Sequence, residues 1–334
     1  MVRFGIAGFG LHAAKRLMPG FALSKKCSVT ALSRRTVAAA RESAAAYNIP
    51  HAFDSVAELA ASPEVDAVLV TTPNSLHLAD VLASINAGKP VLCEKPMAMN
   101  ADECRQMVEA AGKRSVVLGV AHVFRFDDSV LRFREMVAAG KIGRPIFARS
   151  EFSFLANPEH PRKWLYDSAI AGAGPIFDIG VHCIDTLRFI LNDEVVRVSA
   201  AAHRDQRSGD VESAAILSLE FSKGTIGTVL VSYRADYRTP LEIIGDAGVV
   251  AADDALNVEY PIEIRLRRGG KTETSTVSNR SVYALQVDAF ADAVEGKSPF
   301  PVSGEDGWQN QEILDAAMRS LKSGKVEPVT LIRQ

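Results

Sequence analysis

Between Val2 and Val120 short apolar runs alternate with longer stretches of helical period, and each run has the length of a strand. Phe4, Ile6 and Ala7 mark the first, Val29 to Leu32 the second and His51 to Phe53 the third. Ala67-Val68-Leu69-Val70, Pro90 to Glu94 and Ser115 to Val120 complete the series. The fourth run shows no polar alternation, as a strand buried on both faces requires. Helices are predicted between the runs. Leu11, Ala14 and Leu17 mark one, Thr36 to Tyr47 the next, and Ser55 with Glu58 reads as a capping box that opens a brief third. Ser75 to Asn86 is stopped by Gly88, and Asn100 caps a helix through Gly112. Strands alternating with helices predict a doubly wound parallel sheet, in which the loops at the carboxyl ends of the strands face one crevice.

Past His122 the period changes. A helix from Asp128 to Ala139 and a strand from Pro145 to Phe154 lead into an irregular stretch holding Asn157, Pro158, Pro161 and Trp164. Ala171-Gly172-Ala173-Gly174-Pro175 then opens a helix running to Leu191, with Pro175 suited to its first turn. Strands follow at Val195 to Ala201, Ser213 to Phe221, Ile226 to Tyr233 and Leu241 to Ile244. Ile262, Ile264 and Leu266 alternate with Glu263, Arg265 and Arg267, as an antiparallel sheet with one wetted face requires. Gly269-Gly270 marks a hairpin turn, which makes Arg267, Arg268 and Lys271 a solvated tip. Closing helices over Val282 to Glu295 and Gly304 to Leu321 are assigned to this half. The expected division is therefore residues 1–122, an α/β domain, and residues 123–334, an α+β domain.

Composition narrows the partners. At 334 residues, 47% hydrophobic and 23% charged, the chain is long enough for two domains with their own cores. A formal net charge of -2 offers no general attraction to nucleic acid or to an anionic membrane, so a small molecule is the expected partner. No apolar stretch reaches the roughly eighteen residues of a membrane span, and Met1-Val2-Arg3 leads into a core strand without a signal peptide, so a cytoplasmic location is expected. Cys27, Cys93, Cys104 and Cys183 are too few and too irregularly spaced for a disulfide framework or a zinc ribbon. All are expected reduced, with no metal site.

Two places concentrate the candidate chemistry. The first strand ends in Gly8-Phe9-Gly10-Leu11-His12-Ala13, the spacing of a dinucleotide-binding turn with alanine in the third small position. Gly8 lets the backbone reverse, Gly10 lets it approach phosphates without a Cβ in the way, and Ala13 lets the helix pack close. Ser33, Arg34 and Arg35, then Thr72, Pro73 and Asn74 with His77 just beyond, then Glu94 and Lys95, occupy the other strand ends that face the same crevice. The second place is the helix after Pro175. Asp178, His182 and Asp185 stand at i, i+4 and i+7 on one face, and two carboxylates beside an imidazole can orient it or set its pKa for proton transfer.

The glycine turn, Glu94-Lys95-Pro96 after the fifth strand, and the series Gly174, Asp178, Gly180, His182, Asp185 together resemble the glucose-fructose oxidoreductase / inositol dehydrogenase / MocA family. Val302-Ser303-Gly304-Glu305-Asp306-Gly307 extends the resemblance to the last helix. The resemblance implies an N-terminal Rossmann domain, a C-terminal domain with an open, mostly antiparallel sheet, and NAD(P)-dependent oxidation or reduction of a sugar, cyclitol or related alcohol. It implies Lys95, Asp178 and His182 as catalytic residues and homo-oligomers, dimers or tetramers, paired through the second sheet. Some branches of that family often carry Trp-Arg near the cofactor. Here Trp164 stands as the expected nicotinamide neighbour, Leu165 and Tyr166 follow it, and Arg162 offers a substitute arginine.

Three further expectations follow. NADP is favoured over NAD, because Ser33, Arg34 and Arg35 stand where an NAD-selective site places a carboxylate. Self-association is expected through an apolar patch formed by side chains such as Ile216 and Val229 on the open face of the sheet. At the reacting centre either His182 or Lys95 moves the proton; His182 is favoured, with Lys95 assisting by stabilising the developing alkoxide or relaying the proton, and Asp178 orients substrate or imidazole. Two alternatives stand beside this enzyme: an NAD-dependent glycosidase of the same fold, and a nucleotide-binding regulator without chemistry. Retention of Lys95, Asp178 and His182 argues against the regulator.

Overall fold

The structure, a computed structural model, describes residues 1–157, 162–258, 261–278 and 281–332. Pro158 and Pro161 of the irregular stretch lie outside these residues. Two compact units make up the chain: Met1–Val123 with Ser281–Trp308, and Phe124–Arg280 with Gln309–Gln334.

The first unit opens with β1 (Val2–Ala7), a π-helical turn (Ala13–Leu17) and α1 (Met18–Leu23). Then come β2 (Cys27–Ser33), α2 (Val37–Tyr47), β3 (His51–Phe53), α3 (Val56–Ala61), β4 (Ala67–Val70), α4 (His77–Asn86), β5 (Val91–Cys93), α5 (Ala101–Arg114) and β6 (Leu118–Val120). The strands form one parallel sheet in the order β3-β2-β1-β4-β5-β6, the Rossmann arrangement. All of β4 is buried, as its unbroken apolar run predicts. Local chemistry sets the helix starts, since the side chains of Thr36, Ser55 and Asn100 accept from the backbone N–H three residues on. The first helix departs from its predicted spacing. Its buried residues are Ala13, Leu17, Gly20 and Phe21, with Leu11 and Ala14 only partly covered, so a face centred on Ala13 and Leu17 turns inward, and Ala13–Leu17 is wound as a π turn.

The second unit carries α6 (Asp128–Ala138), β7 (Pro145–Ser153), α7 (Ser168–Ala171), a π turn (Ile176–Gly180) and α8 (Val181–Leu191). There follow β8 (Val195–His203), β9 (Ala214–Phe221), β10 (Ile226–Ser232), β11 (Leu241–Gly245), β12 (Gly248–Ala252), β13 (Ile262–Arg268) and β14 (Lys271–Val277). With β15 (Glu327–Pro328) they form an open nine-stranded sheet, ordered β14-β13-β12-β11-β7-β10-β9-β8-β15. Its pairs are antiparallel except β7 with β10. Helix α8 packs on β7 and β10, and α6 packs on α8.

Register decides which side chains this sheet leaves open. Val229, expected on the open face, pairs with Leu217 and is fully buried with it. Ile216 and Ile226 are each 46% exposed and Phe147, paired with Ile226, is 50% exposed. The period of two puts Val229 and Ile226 on opposite faces, so the patch is Phe147, Ile216 and Ile226.

The closing segments are α9 (Val282–Val294) and α10 (Gly304–Ser323). The sequence assigns both to the second domain, yet α9 packs against α1 and β2 of the first unit. The reason is its apolar face: the Phe290 ring lies 6.0 Å from Phe4 and 5.2 Å from Phe300. Gly20 is small because a Cβ there would come within 2.6 Å of Tyr283 Cβ.

Candidate active site

Gly8 ends β1 with φ of 80°. A Cβ there would lie 2.8 Å from the backbone nitrogen of Thr72, so only glycine lets this turn reach the loop after β4. Thr71 Oγ1 ties the two together by donating to the carbonyls of Ala7 and Gly8 at 3.0 and 2.9 Å. A Cβ on Gly10 would meet nothing nearer than the Gly8 carbonyl oxygen at 3.7 Å. The first helical bond runs from the Ala14 N–H to the Gly10 carbonyl, so the backbone donors ahead of it belong to an open helix start. That cradle fits a pyrophosphate.

The side chains around the turn divide into those that hold it and those that face outward. Phe9 is buried, its N–H donating to the Ser33 carbonyl at 2.9 Å and its ring 5.1 Å from Tyr47. Ser33 is buried too, and its hydroxyl oxygen accepts from the Gly8 N–H at 3.4 Å. Arg34 reaches along α2 to donate from Nη1 to Ser43 Oγ at 2.8 Å, while Arg35 is exposed. Leu11 is half-buried, and His12 contacts Glu94, its Nε2 lying 2.9 Å from Oε1. Burial works to raise the Glu94 carboxyl, but the His12 ring and the neighbouring Lys95 ammonium outweigh it and hold the group below the usual carboxylate range.

The loops after β4 and β5 meet at His77. This ring, 1% exposed, places Nδ1 3.0 Å from the Pro96 carbonyl and Nε2 2.8 Å from the Thr72 carbonyl. The sequence places His77 among the residues expected to face the cofactor; in the structure its ring is buried against these two carbonyls. Thr72 donates its hydroxyl to Asp80 at 2.7 Å, a carboxyl that burial pushes up. Pro73 is half-buried and Asn74 buried at the start of a 3₁₀ turn. Lys95 is half-buried and precedes a cis peptide bond to Pro96. An apolar cavity of about 580 Å³ also lies in this unit, lined by Val108, Val117, Leu118 and Phe300 among others. None of the predicted site residues lines it.

In the second unit the residues after Pro175 separate. Asp178 sits in the π turn and accepts at Oδ2 from the Tyr233 hydroxyl at 3.0 Å. Tyr233 is buried; burial and the Asp178 carboxylate push its phenol well up, so it is a proton donor throughout the ordinary pH range. Tyr166 packs edge-on to Tyr233 with centroids 6.1 Å apart. Its phenol is also raised, by burial and by Asp178, with Arg162 acting the other way. His182, at the start of α8, packs against the rings of Phe124 at 5.0 Å and Phe152 at 6.1 Å. Trp164 is half-buried in the 3₁₀ turn Lys163–Tyr166.

The single face expected for Asp178, His182 and Asp185 is thus interrupted by the wider π turn. Asp185 is committed elsewhere, gripped by Arg125 Nε and Nη2 at 2.7 to 3.2 Å and by Asn310 Nδ2 at 2.9 Å. It anchors the turn Val123–Phe126, which carries Phe124. Cys183, beside His182, is buried and its thiol is pushed up to about 12, which leaves no nucleophile there. Sequence reasoning missed Tyr233 and Glu212. Glu212 Oε1 accepts from the Ile176 N–H at 2.9 Å and so caps the turn that bears Asp178. Both lie on chain segments distant from the motif, and only the pairing of β9 with β10 brings them to it.

Comparison with known proteins places these features in a group. Residues 2–122 match a family described as "Oxidoreductase family, NAD-binding Rossmann fold", and residues 130–251 match one described as "GFO/IDH/MocA C-terminal domain". The chain is 35% identical over 294 residues to a 1,5-anhydro-D-fructose reductase of Ensifer adhaerens, covering 86% of this chain and 88% of that protein. It is 31% identical over 340 residues to an inositol 2-dehydrogenase of Saccharopolyspora erythraea, covering 99% and 96%. An aldose-aldose oxidoreductase of Caulobacter crescentus, solved with glycerol, superposes with a TM-score of 0.91 at 25% identity, covering 98% of this chain and 99% of that one.

Proposed function

Because this chain belongs to the Gfo/Idh/MocA family of NAD(P)-dependent oxidoreductases, which act on CH–OH groups, we propose that it moves a hydride between NADP and a carbinol carbon of a sugar, cyclitol or related polyol. The observation that carries this reading is the pairing of chemistries on one helix start in the second unit. There a carboxylate held by a buried phenol precedes, by one turn, a histidine set among aromatic rings. Histidine's ordinary pKa suits exchange of a hydroxyl proton at neutral pH, and His182 is assigned that role. Asp178, fixed by Tyr233, orients substrate hydroxyls. Lys95 supplies a positive charge for a developing alkoxide. When bound, the nicotinamide supplies or accepts the hydride.

The cofactor would be held by the Gly8–His12 turn, by the loop Thr72–Asn74 and by Glu94. Preference for NADP rests on the end of β2, where no carboxylate stands and Arg34 and Arg35 can pair with a 2′-phosphate. Arg34→Ala should weaken NADPH binding and leave NADH nearly unchanged; equal weakening of both would refute the assignment. Relatives that act on anhydrofructose and inositol support a polyhydroxylated substrate. The deciding experiment is a panel of aldoses, ketoses, cyclitols and vicinal diols, assayed with both cofactors in both directions. Turnover of NADPH or NADP matched mole for mole by a sugar or cyclitol is expected. Release of an aglycone without net cofactor change would replace this reading by a glycosidase.

A further inference from the structure

We infer that Ser43 is a positioning residue for cofactor selectivity: its hydroxyl, on the inner face of α2, holds the Arg34 guanidinium ready for the 2′-phosphate of NADP and leaves the arginine's charge uncompensated. This rests on the pairing of Arg34 with that phosphate proposed above. Arg34 follows Ser33, the last residue of β2, and its backbone N–H donates to the Phe53 carbonyl at 3.2 Å. Its Cα is thereby fixed where β2 and β3 end. From there the half-buried side chain reaches Ser43, Nη1 donating to Oγ at 2.8 Å. Ser43 itself is buried. The glycine turn adjoins the same place: the Phe9 N–H donates to the Ser33 carbonyl, and the Phe9 ring packs on Tyr47, one turn beyond Ser43 on α2.

The neutrality of the partner carries the inference. Other arginines of this unit are taken up by carboxylates, Arg3 by Asp66 and Glu64, and Arg105 by Asp102 and Glu109. Among the described residues Arg34 has no ion-pair partner, and its side chain is held by a hydroxyl alone. A carboxylate in that position would compete with a 2′-phosphate for the guanidinium. A hydroxyl occupies one of its N–H donors, leaves the others for the phosphate and keeps the full positive charge. A long side chain tethered in this way has less freedom to lose when the cofactor arrives. The helix singles out the same residue. In Val-Ala-Ala-Ala-Arg-Glu-Ser-Ala-Ala-Ala-Tyr, Ser43 is the one polar side chain among the buried positions Ala40, Ser43 and Ala44. Serine forms helix less readily than the alanines around it, and its contact with Arg34 gives it a use there.

The test measures NADPH and NADH affinity of the full chain by fluorescence titration, in the parent, Ser43→Ala, Ser43→Cys, Arg34→Ala and the double variant of Ser43→Ala with Arg34→Ala. Ser43→Ala should weaken NADPH about two- to tenfold, the range expected for ordering one long side chain on binding, and leave NADH unchanged. Ser43→Cys keeps the size of the side chain but is a weak acceptor, and should act in the same way. Once Arg34 is alanine, Ser43→Ala should have no further effect. A serine that merely supports the helix would weaken both cofactors alike, or act equally with and without Arg34, and either result overturns the inference. NADPH binding that is unchanged or tighter in Ser43→Ala overturns it too, the tighter case showing that Ser43 draws Arg34 away from the phosphate. Failure of both Ser43 variants to fold would make Ser43 a core residue and end the inference. Arg34→Ala separates this from the reading beneath it. If Arg34→Ala keeps the parent's preference between the cofactors, the role of Arg34 falls; if it loses the preference while Ser43→Ala retains it, only the tether falls.

Discussion

At the scale of single residues, the arrangement makes definite demands on Lys95 and His182. The proposed mechanism has each serve a proton or a charge that changes during reaction, so on that proposal Lys95→Met and His182→Ala should each lower kcat by about a hundredfold or more, with NADPH affinity within a few fold. Near-normal turnover of either variant would remove that residue from the mechanism. Asp127 makes a different demand. Its side chain is fully buried at the N-cap of α6, Oδ1 accepts from the N–H and hydroxyl of Ser129, and burial pushes its carboxyl up to about 6. An unfolded aspartate titrates near 4, so between about 4 and 6 the folded state binds the extra proton, and stability from this group falls as pH rises through that window. Asp127→Asn removes the dependence. Relative to the parent, its melting temperature should rise between pH 4 and pH 7; a constant difference would show that Asp127 does not titrate there.

Elements were legible where local chemistry sets them. The caps Thr36, Ser55 and Asn100 and the unbroken run of β4 could be read because a hydroxyl, an amide or an apolar stretch acts within a few residues of itself. The glycine turn was readable for the same reason, as Gly8 answers to a positive φ, while its close approach to Thr72 is set by the distant loop after β4. The two π turns were not, since a widened winding is chosen by packing and has no spacing of its own. Asp178 lies in one of them, whereas Asp185 lies with His182 in the regular α8 and is taken up by Arg125 and Asn310 from distant segments. Glu212 shows what long-range pairing adds. It caps the Asp178 turn from β9's leading edge, and burial raises its carboxyl while the Ile176 and Gly174 amides hold it down. Glu212→Ala would strand a buried N–H at a cost of about 1–3 kcal/mol. The expected result is a lower melting temperature together with a raised KM for substrate, and an unchanged KM would confine Glu212 to stability.

For the whole molecule, the open face of the nine-stranded sheet points to self-association. Phe147 and Ile226 pair across β7 and β10 in one row with Glu220 and Arg197, and Ile216, opposite Leu230, stands exposed further along the same face. Sedimentation at micromolar concentration should find a dimer or larger, and Phe147→Asp with Ile226→Asp should shift it toward monomer; a parent that sediments as a monomer would refute the expectation. The way α9 returns to the first unit has a consequence for how the protein is made. Ribosomes release residues 1–123 long before residues 281–308, so Phe4 waits through most of synthesis for Phe290. The second unit waits as well, because β15 pairs with β8 and Ser320 accepts from the Ala200 N–H only once residues 320–328 emerge. Neither half can finish before residue 308 has emerged. A chain terminated before residue 281 would therefore leave apolar surface open in both halves, and degradation machinery would meet two unfinished units rather than one completed domain trailing an unfinished tail.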